Sequence, residues 1–426
     1  MKSLFFYGKG GIEIQVPEDI HCRELRSRKA IPVDDETAAV EAALDHPIAS
    51  EPLLELARGK TTAAISVCDI TRPAPNTITL PPLLKRLHQA GIAKENILIL
   101  IATGLHRAAT PEEVDIIVGP QIAADYRVVS HNARAREEHR FIGETRRGTP
   151  VYVDERFVSA DLHITLGFVE QHLMLGFSGG RKLIVPGLAA QETIKVIHSP
   201  RFIREPLATE GSIEGNPLHE ELLECARMAR HDFIVDTALT QDRKIAGVFA
   251  GNPVKAHAAG VDFVEKTCLE EIDEPADLVI TSAAGFPLDL TFYQSVKGIT
   301  AATHLAKPGA RILLIAECAE GMGSAEFAHM VRNIGDFAQY LDAVRDQPVD
   351  VDRWQVEKLA LAGVQNDVYF YTPGVTPEEL GHLGARAFAT LNDAMAAMLR
   401  SLPSRGRVTL VPEGPYTFAR ATAQVA

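Results

Sequence analysis

The sequence predicts an α/β protein made of two α/β domains with an active-site cleft between them. Three observations carry this reading. Near-continuous apolar runs, such as 96–102 (Asn-Ile-Leu-Ile-Leu-Ile-Ala), suit strands buried on both faces, as parallel sheets require. Segments of helical period alternate with those runs, the rhythm of strands joined by crossover helices. The chain has 426 residues, more than the ~150 of a typical domain, and an acidic, proline-closed stretch at 270–275 (Glu-Glu-Ile-Asp-Glu-Pro) lacks periodicity and reads as a hinge.

The first domain is expected over 1–272, and a smaller second domain over 273–402. The tail from about 403 to 426 is free to return to the first. In the first domain, strands are expected at 62–67, 96–102, 126–129 and 162–168. Between the first two, residues 81–90 place Leu83, Leu84 and Leu87 at helical spacing. Thr110-Pro111-Glu112-Glu113 supplies an N-cap, a proline at the first helical position and a capping-box glutamate, opening a helix to Val118. A Gly-rich turn follows the strand ending at 168, then a helix at 191–197. The second domain is expected to run as strand 277–282, helix 292–304, strand 311–316, a long Ala-rich helix 377–399 and a last strand 408–411. No internal repeat or low-complexity segment interrupts this order.

Composition excludes several classes. Hydrophobic residues at 46% and charged residues at 23% are ordinary for folded domains, so disorder and coiled coil are not the main content. A net charge of -13 repels a phosphate backbone, which argues against nucleic acid as a partner. The cysteines Cys22, Cys68, Cys225, Cys268 and Cys318 show no CxxC spacing, which points to a reducing compartment. The apolar stretch before Lys9-Gly10-Gly11 is too short for a signal-peptide core, and no window approaches eighteen apolar residues. A soluble cytoplasmic protein with no membrane partner is the expectation.

The polar clusters that follow strands are the candidates for chemistry, because open α/β sheets bind ligands at the carboxyl ends of their strands. After 62–67 comes Asp69-Ile70-Thr71-Arg72-Pro73, where Arg72 suits bidentate capture of a carboxylate, or is a plain surface arginine. After 96–102 comes Thr103-Gly104-Leu105-His106-Arg107, where His106 could serve as a general base or be a solvated loop histidine. After 162–168, His172 is followed by Gly176-Phe177-Ser178-Gly179-Gly180-Arg181-Lys182, then by His198. Small residues there let backbone amides approach an anion and the basic pair adds charge, although a tight glycine turn with a solvated basic pair fits equally. The order of residues is not that of a Walker A loop, and no GxGxxG follows a strand. In the second domain Tyr293 and Lys297 share a helix face with Gln294 beside them. The single tryptophan, Trp354, reads as a core or interface residue.

Taken together, Asp-x-Thr-Arg-Pro (69–73), Thr-Gly-Leu-His-Arg (103–107), His172 with Gly-Phe-Ser-Gly-Gly-Arg-Lys (176–182), His198-Ser199-Pro200 and Tyr-Gln-x-x-Lys (293–297) resemble the lactate racemase family in order and spacing. The resemblance spans most of the chain. It implies a nickel-pincer nucleotide joined covalently to Lys182, with His198 as the protein's nickel ligand. It also implies acid/base roles for His106 and His172, a carboxylate clamp of Arg72 and Lys297, polar contacts from Gln294 and Tyr293, and ring stacking by Trp354. Cofactor contacts are expected from Asp69, Thr103, Gly104, Ser178, Gly179, Gly180 and Arg181. The implied partners are a small 2-hydroxy acid and the enzymes that assemble the cofactor; formation of a homo-oligomer is left open.

The implied reaction is an isomerase's, a 2-hydroxyacid racemase working by proton-coupled hydride transfer. Two positions depart from the family's pattern: Leu183 stands after the lysine in place of a small polar residue, and Glu170-Gln171 precede His172 where proline is frequent. Neither removes a needed group, but the substrate's side chain stays open. Malate would require one more cation, from Arg107 or Arg181. Two other readings stand beside this one. One is a zinc-dependent hydrolase or lyase using His106, His172 and His198; the other is a non-catalytic small-anion binding protein using Arg72, Lys182 and Lys297.

Overall fold

The apolar runs become parallel strands in the computed structural model, which describes residues 1–28, 30–400 and 402–422. In chain order the strands of its two main sheets are β1 (His21–Glu24), β2 (Ala63–Cys68), β3 (Ile97–Ala102), β4 (Arg127–Ser130), β5 (Leu162–Phe168), β6 (Phe233–Leu239), β7 (Ile245–Gly251), β8 (Ala276–Ser282), β9 (Ala306–Ile315), β10 (Asp367–Tyr371) and β11 (Arg407–Val411). The chain divides into two units, Lys29–Thr267 and Met1–Arg28 with Cys268–Ala426.

The sheet of the Lys29–Thr267 unit has the order β7-β6-β5-β2-β3-β4, all parallel except β7, which runs antiparallel to β6. Its strand residues alternate between two different environments. Ile65, Val67, Ile99, Ile101, Ile164, Leu166, Phe233 and Val235 join one apolar core, roofed by leucines of α1 (Asn76–Gln89). The intervening residues include Ser66, His163, Thr165 and Asp236, polar yet fully buried. That face is covered too, as the apolar runs predict.

Helix α2 (Pro111–Val118) starts as expected, with both hydrogen bonds of the Thr110/Glu113 capping box present. Helix α1 begins five residues before the expected start, so Pro81 and Pro82 lie inside it. Burial of Leu80, Leu83, Leu84 and Leu87 along one face outweighs the lost backbone donors. Strand β5 and helix α3 (Gln191–Ile197) have their expected bounds.

The other unit carries the parallel sheet β10-β9-β8-β11-β1, with helices α4 (Phe292–Thr303) and α5 (Arg353–Gln365). Four expectations are corrected here. Residues 1–28, assigned to the first domain, belong to this unit, because β1 pairs with β11. The tail belongs here for the same reason, and its Ala419–Ala421 pairs with Glu270–Ile272, so the supposed hinge is a short strand. The long helix at 377–399 is broken into Pro377–Leu380, a 3-10 turn Gly381–Arg386 and Leu391–Arg400. Gly381 causes the break, since it has φ +58° and sits where a Cβ would come within 2.2 Å of the Arg332 carbonyl.

Burial of polar groups makes this fold sensitive to acid. Desolvation holds His131, His219 and His231 at about 3 and His304 at about 4. Unfolded histidine protonates near 6.5, so below that pH the unfolded chain binds more protons and stability falls. Each site contributes up to about 2 kcal/mol of loss between pH 6.5 and 5. Asp236, raised to about 7 by burial, titrates in the opposite sense but is one group against four. The thermal midpoint is expected to drop by several degrees from pH 7.5 to 5.0, and an unchanged midpoint would contradict this assignment.

Candidate active site

In the Lys29–Thr267 unit, chain order runs outward from β2 in both directions, through β3 and β4 on one side and β5 and β6 on the other. The reversal between β2 and β5 is a topological switch point, where the loops leaving neighbouring strands separate and open a crevice. The Asp69–Pro73 loop leaves β2, the Thr103–Arg107 loop leaves β3 and the His172–Lys182 segment leaves β5. Strands lie about 4.8 Å apart, so the two histidine-bearing loops start roughly 10 Å apart with the Arg72 loop between them.

Each histidine is held in one tautomer. Asp69, buried at the end of β2, accepts His106 Nδ1–H at 2.6 Å and the Thr71 hydroxyl at 2.6 Å. Burial pushes the Asp69 carboxyl up, but the hydrogen bonds from His106 and Thr71 and the nearby Arg72 charge leave it lower than usual. His106 therefore turns an Nε2 lone pair outward, on a side chain 52% exposed. His172 is the reverse. Its Nδ1 accepts the backbone amides of Met174 and Leu175, each at 3.3 Å, which places its proton on Nε2. Asn216 ties that segment down by donating to the Met174 carbonyl at 2.9 Å.

His198 ends α3, where its Nδ1–H donates to the Ile194 carbonyl at 2.8 Å. Its lone pair is consequently on Nε2, the arrangement seen in metal-ligating imidazoles. Burial, with the charge of Lys182 acting in the same direction, pushes it down to about 4, so the ring is neutral and within electrostatic reach of the lysine. An amine and a neutral imidazole within electrostatic reach of each other fit a tethered group that carries a metal. Among the described residues no three His, Cys, Asp or Glu side chains cluster as a metal cage, so His106, His172 and His198 are not gathered into the zinc triad.

Several residues expected to touch a cofactor make hydrogen bonds within the loops. Thr103 donates its hydroxyl to the His131 carbonyl at 2.6 Å, and the Gly104 amide donates to Gly187 at 3.0 Å. The Ser178 hydroxyl donates to the Phe168 carbonyl at 2.9 Å and accepts the Glu170 amide at 3.1 Å. Arg181, expected at the cofactor with a solvated basic pair as the alternative, is buried and donates to the carbonyls of Leu175 and Phe177 at 3.1 and 2.9 Å. Its charge is spent on orphan carbonyls of the turn. Arg107 forks onto Glu113 with two contacts of 2.6 Å. Leu183 packs on Cys68 and Phe168, and its carbonyl accepts the Ser66 hydroxyl at 2.8 Å, so an apolar residue suits the position.

In the other unit, Tyr293, Gln294 and Lys297 lie on α4. Trp354, at the start of α5, donates Nε1–H to the Tyr293 hydroxyl at 3.3 Å, and Gln355 donates to the Tyr293 carbonyl at 2.9 Å. The Gln294 Oε1 is buried and has no partner among the described residues.

Residues 7–211 match the lactate racemase N-terminal domain and residues 272–417 the lactate racemase C-terminal domain. The chain belongs to the lactate racemase family. It is 35% identical to the lactate racemase of Lactiplantibacillus plantarum, over 96% of this chain and 97% of that one. It is 33% identical to that of Thermoanaerobacterium thermosaccharolyticum, over 97% and 98%. The structure of the latter's apoprotein superposes with a TM-score of 0.91 at 32% identity, covering 99% of this chain and all of that one. A Thermotoga maritima protein with a TM-score of 0.68 and 16% identity shares the fold alone. Racemases are isomerases, so the expected enzyme class and α/β fold stand with the family. No helix among the described residues is long and apolar enough to cross a membrane.

Sequence reading did not single out Asp236, His257 or Gln355. Asp236 had a signal, a lone acid inside the apolar run Phe-Ile-Val-Asp-Thr-Ala-Leu, but that charge also hid the strand. The Asp69–His106 contact implies that Asp69→Asn releases the His106 tautomer. Nitrogen chemical shifts of selectively labelled His106 are expected to move from the Nδ1–H form to a mixture at pH 8; an unchanged spectrum would show that Asp69 does not set it.

Proposed function

We propose that this chain is a 2-hydroxyacid racemase of the lactate racemase type, working by proton-coupled hydride transfer with a nickel-pincer nucleotide joined to Lys182. The observation that carries the reading is a neutral His198, its lone pair on Nε2, within electrostatic reach of Lys182. On this reading His198 would supply the imidazole that holds the nickel and Lys182 the amine that tethers the group, with soft donors on the group suiting Ni(II). When bound, that group supplies a reversible acceptor for the hydride on the substrate's Cα.

The chain's own residues do the rest. Plain proton removal beside an ionised carboxylate is hard because that C–H is very weakly acidic, whereas oxidation to a planar 2-oxo acid erases handedness in one step. His106, its lone pair turned outward by Asp69, takes the hydroxyl proton. His172 keeps a proton on Nε2 for the keto oxygen when the opposite face is reduced. Arg72 and Lys297 are assigned to the carboxylate, so the flat intermediate turns without leaving. Tyr293 and Gln294 are assigned polar contacts and Trp354 ring stacking; the unpartnered Gln294 Oε1 supports this.

The named relatives favour lactate as substrate. Malate loses support, because Arg107 is paired with Glu113 and Arg181 faces loop carbonyls. A cytoplasmic setting belongs to the proposal, supported by five free cysteines. Cofactor-assembly enzymes are the implied partners.

Coexpression with those assembly enzymes, followed by intact mass spectrometry, tests the reading. An adduct is expected on the peptide holding Lys182, absent in Lys182→Ala, together with interconversion of L- and D-lactate. An unmodified Lys182 with no turnover of any 2-hydroxy acid would refute it. In the loaded enzyme, His106→Ala and His172→Ala should each cost about 10²-fold or more in kcat. Lys297→Ala should act mainly on KM, and a Lys297→Ala enzyme with unchanged KM would remove it from the clamp. Undiminished lactate binding by a His106→Ala/His172→Ala protein, with no turnover in the wild type, would favour an anion-binding protein.

A further inference from the structure

Behind the Gly-rich turn lies a buried acid that the mechanism does not use. Asp236, on β6, is fully buried; its Oδ1 accepts the Gly180 amide at 3.2 Å, and its Oδ2 has no partner among the described residues. Three glycines close around this carboxyl. A Cβ on Gly167 would lie 2.8 Å from Oδ1, one on Gly179 2.7 Å from Oδ2 and 3.0 Å from the Phe168 carbonyl, and one on Gly180 3.6 Å from Oδ2. Gly179 and Gly180 also have φ of +85° and +46°, a region that side chains rarely adopt.

Arg181 braces the same turn. Besides its bonds to Leu175 and Phe177, its Nη1 lies 2.7 Å from His257 Nε2, which is also 2.7 Å from the Ser178 carbonyl. The Lys182 amide then donates to the Gly179 carbonyl at 3.1 Å, so the geometry at 179–181 decides where the lysine side chain leaves the backbone. A buried carboxyl with one unmatched oxygen costs stability that an apolar residue of similar size would not. Its presence under this turn calls for a use.

We infer that Asp236, braced by Arg181, is a positioning residue for the Lys182 tether, its Oδ1 holding the Gly179–Gly180 turn in the conformation that presents the lysine amine. The inference rests on the role proposed for Lys182. Burial raises Asp236 to about 7, and Oδ1 remains an acceptor whether or not the group is ionised. The neutral isostere Asp236→Asn therefore keeps the function, while Asp236→Val fills the space without an acceptor and loses it.

Two readouts test this. The first is the adduct on Lys182 after coexpression with the assembly enzymes. The second needs no cofactor: acetylation of the apoprotein by N-hydroxysuccinimidyl acetate, with the rate at Lys182 taken relative to exposed Lys85. Asp236→Val is expected to cut the adduct about fivefold or more and to shift the relative rate about threefold or more, with Asp236→Asn within about twofold of wild type on both. If Asp236→Val is insoluble, Gly179→Ala, which crowds Oδ2 and opposes positive φ, should reproduce both losses. An unchanged Lys182 rate in Asp236→Val, or in Gly179→Ala where that variant replaces it, would overturn the inference, as would equal losses in Asp236→Asn and Asp236→Val. A wild-type protein without adduct, but with the predicted shift in Lys182 reactivity, would overturn the proposed function and leave this inference standing.

Discussion

The adjacency of β5, β2 and β3 is the constraint on which the site depends. These strands are separated in sequence by long crossovers, yet their register is tight, with Ile65 opposite both Ile99 and Ile164. A parallel sheet requires such crossovers, and the change of winding direction at β2 leaves the loops after β2 and β5 diverging above the sheet. Residues 69, 106 and 172 reach one region because backbone hydrogen bonds align the strand ends beneath them. Slippage of β5 by one residue would exchange its two faces, putting Leu166 where Thr165 stands.

Polar groups in this unit divide into those that hold loops and those that face outward. The hydroxyls of Ser66, Thr103 and Ser178 and the guanidinium of Arg181 all satisfy backbone carbonyls. Such carbonyls would otherwise be buried without partners, which is why the Gly-rich turn can lie deep against the sheet. His106 and His172 are both supported through Nδ1, which donates in His106 and accepts in His172. Orientation and protonation are thus set by the same hydrogen bonds, a preorganisation that costs nothing during turnover.

Much of this was legible in the sequence, for identifiable reasons. Strands β2, β3 and β5 announce themselves because both faces are buried and the runs are apolar, and α2 because its cap is spelled out by Thr110, Pro111 and Glu113. The motif residues follow strands, so their loops could be assigned without coordinates. What sequence does not display is direction. Arg181 and Lys182 are adjacent basic residues, and only three-dimensional placement shows one turned to carbonyls and the other within electrostatic reach of His198. Strand β6 escaped notice because Asp236 breaks its apolar pattern, and β1 because a partly exposed edge strand such as His-Cys-Arg-Glu has no strong signature. The long helix at 377–399 failed because Gly381 is demanded by a neighbouring carbonyl that no local pattern reveals.

The unit that contains both chain segments has a further consequence, for biosynthesis. Arg23 and Thr409, which hydrogen-bond on neighbouring strands, are 386 residues apart. At ribosomal rates of about 5–20 residues per second, an emerged β1 waits roughly 20–80 s before β11 exists to receive it. The intervening stretch that forms the other unit is synthesised in full during that interval and can fold first. The early segment meanwhile stays an unpaired edge, and its short length and its charges, Arg23 and Glu24, are the features that keep such an edge from pairing with a neighbouring nascent chain.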